Sequence, residues 1–231
     1  MFLELIQTSE FHWAQLLQPQ FYIDFGGIWI ILIVIFAETG LFVGFFLPGD
    51  SLLFVTGIFA QDIINNMLLN FNINITVNEY LALLIIILLI SLMGILGNIV
   101  GYAFGRKVGI KMYQWPDRFL FKQKYLQQAK VFYEKYGRRA IVVGRFLPFV
   151  RTFAPIVAGI INMDKMKFSF YNIIGCICWV ASMILGGFFL QKWMIHNFQF
   201  DLTKRLELIV IVIVLITTLP VIYKIVTNKN K

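Results

Sequence analysis

Two apolar stretches of this chain are broken by the same Phe-Leu-Pro triplet, and each carries charge of one sign. The first, Ala37 to Asp50, holds Phe46-Leu47-Pro48-Gly49 together with the acids Glu38 and Asp50. The second, Gly144 to Pro155, holds Phe146-Leu147-Pro148 together with Arg145 and Arg151. Proline removes a helical donor and pushes the residue before it out of the α region, so neither stretch reads as one straight helix. A charge at the centre of a bilayer costs about 2.5–3.5 kcal/mol, and four at that depth would cost about 10–14 kcal/mol. A chain tolerates this only where the charges are paired or line a wet cavity. These two stretches are therefore where a functional site is expected.

The bilayer enters through composition. Of 231 residues 59% are hydrophobic and 14% charged, with mean hydropathy +0.79. A soluble domain of this length could not hide so much apolar surface, so an all-α integral membrane protein with one membrane domain is expected. Met1-Phe2-Leu3-Glu4 lacks a basic n-region, and no cleavable signal peptide is expected. Cys176 and Cys178 sit inside an apolar span without further ligands nearby and read as packing residues. His12 and His196 have no metal-ligand partner at useful spacing, so neither a metal nor a cofactor is expected.

Charge is distributed lopsidedly. Residues 1–104 contain seven acids and no Lys or Arg, and all 20 basic residues lie from Arg106 onward. Ten of them fall between 106 and 139, which makes that segment cytoplasmic by the positive-inside rule. A nucleic-acid partner is not expected from a basic stretch flanked by apolar spans.

Three segments are long enough to cross a membrane: 80–104, 168–191 and 208–223. Glycines in the first two suit close helix–helix contact. Between Arg139 and Asp164 the apolar run is punctuated by Gly144, Pro148, Pro155 and Gly159. Its stretch 140–147 gives only about 12 Å of helix, under half of a hydrocarbon core of roughly 30 Å. Residues 140–162 therefore read as a re-entrant hairpin turning at the prolines, with Arg138-Arg139 and Lys165-Lys167 on one side.

Residues 28–60 show a similar pattern around Pro48-Gly49, although a full span followed by a half-helix fits too. Broken backbone at membrane depth is tolerated only inside protein or along water. Hairpin plus span at 28–104 and again at 140–191, on opposite sides, make an inverted repeat, the plan of many secondary transporters. Helix 80–104 then runs inward, 105–139 is cytoplasmic, 168–191 runs outward, and 208–223 returns to a cytoplasmic C-terminus. The Asn-rich segment 61–79 is external. Residues 1–27 form an N-terminal amphipathic or interfacial segment with no basic residue to orient it. Residues 119–136 read as an interfacial amphipathic helix.

Arg145 and Arg151 flank a proline turn, and arginine's planar fork stays charged and suits phosphate oxygens. A clamp for a phosphate headgroup is one reading, structural pairing with Glu38 and Asp50 a second and snorkelling to the interface a third; a substrate phosphate could compete for the same arginines. A carboxylate moved between an apolar surround and an arginine changes its proton affinity, which makes Glu38 and Asp50 the natural proton-coupling groups. For Asp50 a helix N-cap is the plainer alternative. Gly105-Arg106-Lys107-Val108-Gly109 reads as a basic stop with a glycine cap, or as Arg106 touching a headgroup at a cavity mouth. Asp164 reads as the cap of the next helix.

At these residues the chain resembles the DedA family of membrane proteins, whose shared region is also called the SNARE-associated or VTT domain. The resemblance is carried by Glu38-Thr39-Gly40-Leu41 through Phe46-Leu47-Pro48-Gly49-Asp50 and by Gly105-Arg106-Lys107-Val108-Gly109. It continues through Gly144-Arg145-Phe146-Leu147-Pro148-Phe149-Val150-Arg151-Thr152 with Pro155, Ala158 and Gly159, covering about 28–191. The family's usual P-x-P-G has Phe46 at its first proline here. The resemblance implies two opposed re-entrant hairpins and movement of lipids across a membrane, with Glu38, Asp50, Arg145 and Arg151 as the important charges. Bacterial members are associated with undecaprenyl phosphate or phosphatidylethanolamine and with the proton gradient, eukaryotic ones with phospholipid scrambling.

The expected function is thus flippase- or scramblase-like transport of a phosphate-bearing lipid across a bacterial inner membrane, with lipid and protons as partners. A proton-coupled antiporter of small cations or drugs and a structural membrane organiser are the competing readings. An enzyme is not expected, since neither a nucleophilic His arrangement nor an Asp-rich metal motif is present. An oligomer is compatible with the sequence.

Overall fold

The computed structural model describes residues 19–41, 49–112, 131, 148–200 and 202. Arg145, Pro48, all but residue 131 of the interfacial helix expected at 119–136, and the span expected at 208–223 lie outside the described residues, as do residues 1–18. The described elements are α1 (Pro19–Gly40), α2 (Gly49–Ile58), α3 (Ala60–Asn70), α4 (Glu79–Met112), α5 (Pro148–Ile160) and α6 (Lys165–Phe198). Among the described residues there is no strand.

Helices α4 and α6 are each 34 residues, about 51 Å at 1.5 Å per residue, and both are long and apolar enough to cross a membrane. They exceed the spans expected at 80–104 and 168–191 because their polar ends stay helical. At one end Asn78 Oδ1 accepts from the Tyr80 N–H at 3.0 Å. At α6 Asp164 accepts from the Lys167 N–H at 3.0 Å, the cap expected of it, and Gln199 closes the helix in the left-handed region at φ 51°. The two run antiparallel: Glu79 pairs with Lys192, Cys176 Sγ donates to the Ser91 carbonyl, and Asn98 meets Asn172.

Glycine is required at one bend of α1, where Gly27 has φ 54° and ψ −139° and kinks the helix. From Gly27 the helix runs alongside α4 in the same direction, with Ile35 near Gly94 and Gly40 against Gly97. Helices α2 and α3 are bent by 82° at Phe59. Residues 61–70, expected within an external polar segment, are helical. The chain after them is tied back because Gln61 Nε2 donates to the Val77 carbonyl and the Val77 N–H to Asn65 Oδ1.

Helix–helix contacts cross between the two parts of the sequence. Short helix α5 lies along α4, where the Gly105 and Gly159 α-carbons touch the opposing backbone at Ile156 and at Tyr102–Arg106. Short helix α2 lies along α6, where Gly57 meets the backbone of Ile184 and Gly187 that of Phe54. A Cβ at any of these four glycines would overlap backbone atoms. The large core joins Ile31, Ile35, Leu52, Leu53, Ile90 and Trp179; a smaller one gathers Tyr102, Ile156, Val157 and Phe168.

Two sequence readings need correcting here. Neither Gly105 nor Gly109 ends a helix: α4 continues to Met112, and both glycines give the small surface against which Ile156 and Ile160 pack. Pro155 does not turn the chain either, because it sits inside α5. Its ring withholds a donor from the Arg151 carbonyl without ending the helix. The reversal comes at Ile161–Asp164, with Asn162 at φ 51° and the Met163 N–H on the Ala158 carbonyl.

The Asn98 Nδ2–Asn172 Oδ1 hydrogen bond, 3.0 Å and buried, joins α4 to α6, and Asn172 also donates to the Ile95 carbonyl. Asn98→Leu is expected to lower stability by about 1 kcal/mol. In the Asn98→Leu/Asn172→Leu pair the loss should be smaller than the sum of the two single changes. Reversible unfolding in mixed micelles measures both.

Candidate functional site

The site forms where the broken helices meet the middle of the long ones. Glu38 and Thr39 close α1. Thr39 Oγ1 donates to the Ile35 carbonyl at 2.8 Å, turning its polarity back into its own helix. Gly49 and Asp50 open α2, so Asp50 stands in the first turn, where a carboxylate suits the positive end of the helix. It does not precede the helix as an N-cap would. Pro148 opens α5, the position at which proline's missing N–H costs least. Arg151 follows three residues later. Trp179 lies near the centre of α6.

Arg151 joins the pieces. Its Nη2 donates to Glu38 Oε1 and its Nη1 to Asp50 Oδ1. Its guanidinium carbon lies over the Trp179 ring, 4.5 Å from the centroid. Trp179 Nε1 donates to the same Asp50 Oδ1 at 3.0 Å. Arg151 is 5% exposed, Glu38 2%, and Trp179 has no exposed surface. An arginine shared by two acids leaves a formal local charge of −1. Two buried polar atoms, Arg151 Nε and Glu38 Oε2, have no hydrogen-bond partner among the described residues. The first can donate to an oxyanion or a water, and the second can accept from a water or take a proton.

Gly49 explains the approach of the two acid-bearing segments. A Cβ there would overlap the Glu38 carboxylate, so the carboxylate rests on the bare start of α2. Arg106 takes a separate place near the far end of α4, its Nη1 donating to Tyr102 Oη at 3.3 Å. Tyr102 in turn donates to the Met163 carbonyl and stacks on Phe168 with centroids 4.4 Å apart. The structure thus brings Glu38, Gly49, Asp50 and Arg151 together and engages Arg106 with the turn after α5.

Trp179 was missed as a site residue in the sequence reading. A signal existed, because tryptophan in a spanning helix favours the interfaces, and one at mid-helix lacks that reason. Asn98 and Asn172 carried a similar signal as polar residues inside long apolar runs.

Two long apolar helices, a bent helix pair and a buried cluster of charges drawn from three helices define a polytopic helical membrane protein. The VTT domain matches residues 47–189. The chain is 35% identical to Protein DedA of Escherichia coli (strain K12) over 207 residues, 88% of this chain and 85% of that one. It is 32% identical to an uncharacterized membrane protein of Mycobacterium leprae (strain TN), over 82% of this chain and 75% of that one. With the inner membrane protein YqjA of E. coli (strain K12) it shares 29% identity over 71% and 67%. The chain belongs to the DedA family of VTT-domain membrane proteins. No solved structure is a match to it.

Proposed function

We propose that this protein moves a phosphate-bearing lipid, such as a polyprenyl phosphate or a phospholipid, across a bacterial inner membrane, with protons exchanged at Glu38 and Asp50. One observation carries the reading: a buried arginine, held by two carboxylates from different helices, at the point where three broken helices end or begin. A phosphate monoester can take the edge of Arg151 in place of its carboxylates. Those carboxylates, released from their cation in an apolar surround, then take up protons. The lipid tail stays in the bilayer. No bond of the cargo is made or broken.

Opposed re-entrant hairpins suit this function. Their support lies in helix directions: α1 runs with α4 toward Glu38, whereas α2 leaves Asp50 running with α6, opposite to α4. Helix α5 is about 20 Å long at 1.5 Å per residue, short of a roughly 30 Å core. Each short helix packing on the long helix of the other half fits an inverted repeat. The same plan puts the Glu79 end outside and the Met112 end and the C-terminus in the cytoplasm, with the second hairpin entering the membrane from the cytoplasmic side.

The test is transport in proteoliposomes under an imposed pH gradient, with polyprenyl phosphate and phosphatidylethanolamine as competing cargoes. Wild type should move one of them, and Arg151→Ala should reduce the rate at least about a hundredfold. Movement of neither lipid by wild-type protein would favour an antiporter of small cations. Undiminished movement by Arg151→Ala would remove the clamp.

A further inference from the structure

We infer that Trp179 is a positioning residue of the site, holding Arg151 by its face and Asp50 by an edge so that both keep their places while Arg151 changes partners. The inference rests on the lipid-phosphate reading for what the exchange is, and on coordinates alone for the contacts.

The geometry separates two surfaces of one guanidinium. Carboxylate or phosphate oxygens take N–H groups in the plane of the fork, whereas an aromatic ring takes the plane itself. Arg151 uses its in-plane donors on Glu38 and Asp50 and lies over the Trp179 ring at 4.5 Å. A ligand that strips away both carboxylates leaves the ring contact untouched. The guanidinium therefore stays presented to an incoming oxyanion and does not swing toward another acid.

The second half of the arrangement concerns Asp50. Its Oδ1 accepts from Arg151 and also from Trp179 Nε1. When Arg151 turns to a phosphate, the indole N–H still satisfies that oxygen, so Asp50 keeps a contact there while it takes up its proton. Glu38 has no such second partner among the described residues, since its Oε2 is unpaired. The two acids are thus made unequal: Asp50 keeps a donor through the exchange and Glu38 does not. Trp179 can do this because it is wholly buried on α6, and α2 is seated beside it by the Gly57 and Gly187 contacts.

Two substitutions divide the roles. Trp179→Phe keeps a ring face and removes the N–H; Trp179→Leu removes both. In proteoliposomes carrying polyprenyl phosphate, Trp179→Phe should keep KM within about twofold of wild type while kcat falls about tenfold. Trp179→Leu should raise KM at least about tenfold as well. Mere packing would give equal losses in both, or losses confined to folded yield, and either result overturns the inference.

A spectroscopic arm works without cargo. With Trp13, Trp29, Trp115 and Trp193 replaced by Phe, emission reports Trp179 alone. Adding Arg151→Gln should raise its intensity and adding Asp50→Asn should shift its maximum. Emission indifferent to both changes overturns the contacts. If emission responds but wild-type protein moves no phosphate lipid, the transport reading fails while the Trp179 contacts stand.

Discussion

Alanine at Arg151 is expected to destabilise the protein by about 3–5 kcal/mol, the usual penalty for removing one partner of a buried ion cluster. The change leaves Glu38 and Asp50 close together, both acidic and stripped of their shared cation, with Glu38 almost wholly enclosed. Neutralising the acids as well, in Glu38→Gln/Asp50→Asn/Arg151→Ala, should return most of that stability, because uncharged amides carry a much smaller burial cost. The proposed transport should stay at least about a hundredfold down in both variants. Unfolding in mixed micelles gives the stabilities, and the same preparations supply the transport rates. A triple variant no more stable than the single one would show that the charges contribute nothing to holding α1, α2 and α5 together. The comparison also separates loss of the proposed transport through unfolding from loss through the missing cation.

The second large effect is steric. Gly57→Ala is expected to cost about 3 kcal/mol, at the upper end for overpacking, because the new methyl would overlap the Ile184 backbone and neither helix has a side chain to move aside. Gly187→Ala, against Phe54, should behave alike. Gly186→Ala is the control one residue away. Its methyl would stand 3.6 Å from the Phe54 ring, an ordinary contact, so its effect should stay within about 0.5 kcal/mol. Equal losses at 186 and 187 would contradict the register of α2 on α6.

Glu38, Asp50 and Arg151 were legible in the sequence because charge inside an apolar stretch is expensive and so informative. Helix starts near 49 and 148 were legible for a different reason, since proline is disfavoured inside a helix and tolerated in its first turn. What the sequence hid was the partner of each piece. Gly105 looked like a helix end because glycine commonly sits there, yet Gly97, Gly101, Gly105 and Gly109 fall at four-residue spacing and make one small face for α1 and α5. Pro155 looked like a turn, but a helix can carry a proline when tertiary contacts enclose it, and Pro155 is buried against Gly101 of α4. Trp179 was not singled out in the sequence, and its ring sits in the core. Only its distance to Arg151 and Asp50 gives it a second role, and distance across the fold is not encoded in local pattern.

The crossed packing of short helices on long ones also sets a timetable for synthesis. Gly57 meets Ile184, so α2 leaves the ribosome well over a hundred residues before the surface it rests on exists. At 5–20 residues per second that interval is roughly 6–25 s. For most of it the start of α2 carries Asp50 without Arg151, and for nearly all of it without Trp179, so the early half waits in an incomplete form. Assembly of this part then waits for α6, and a ribosome stalled before α6 would leave Arg151 and its two acids without the Trp179 ring and without the surface on which α2 rests.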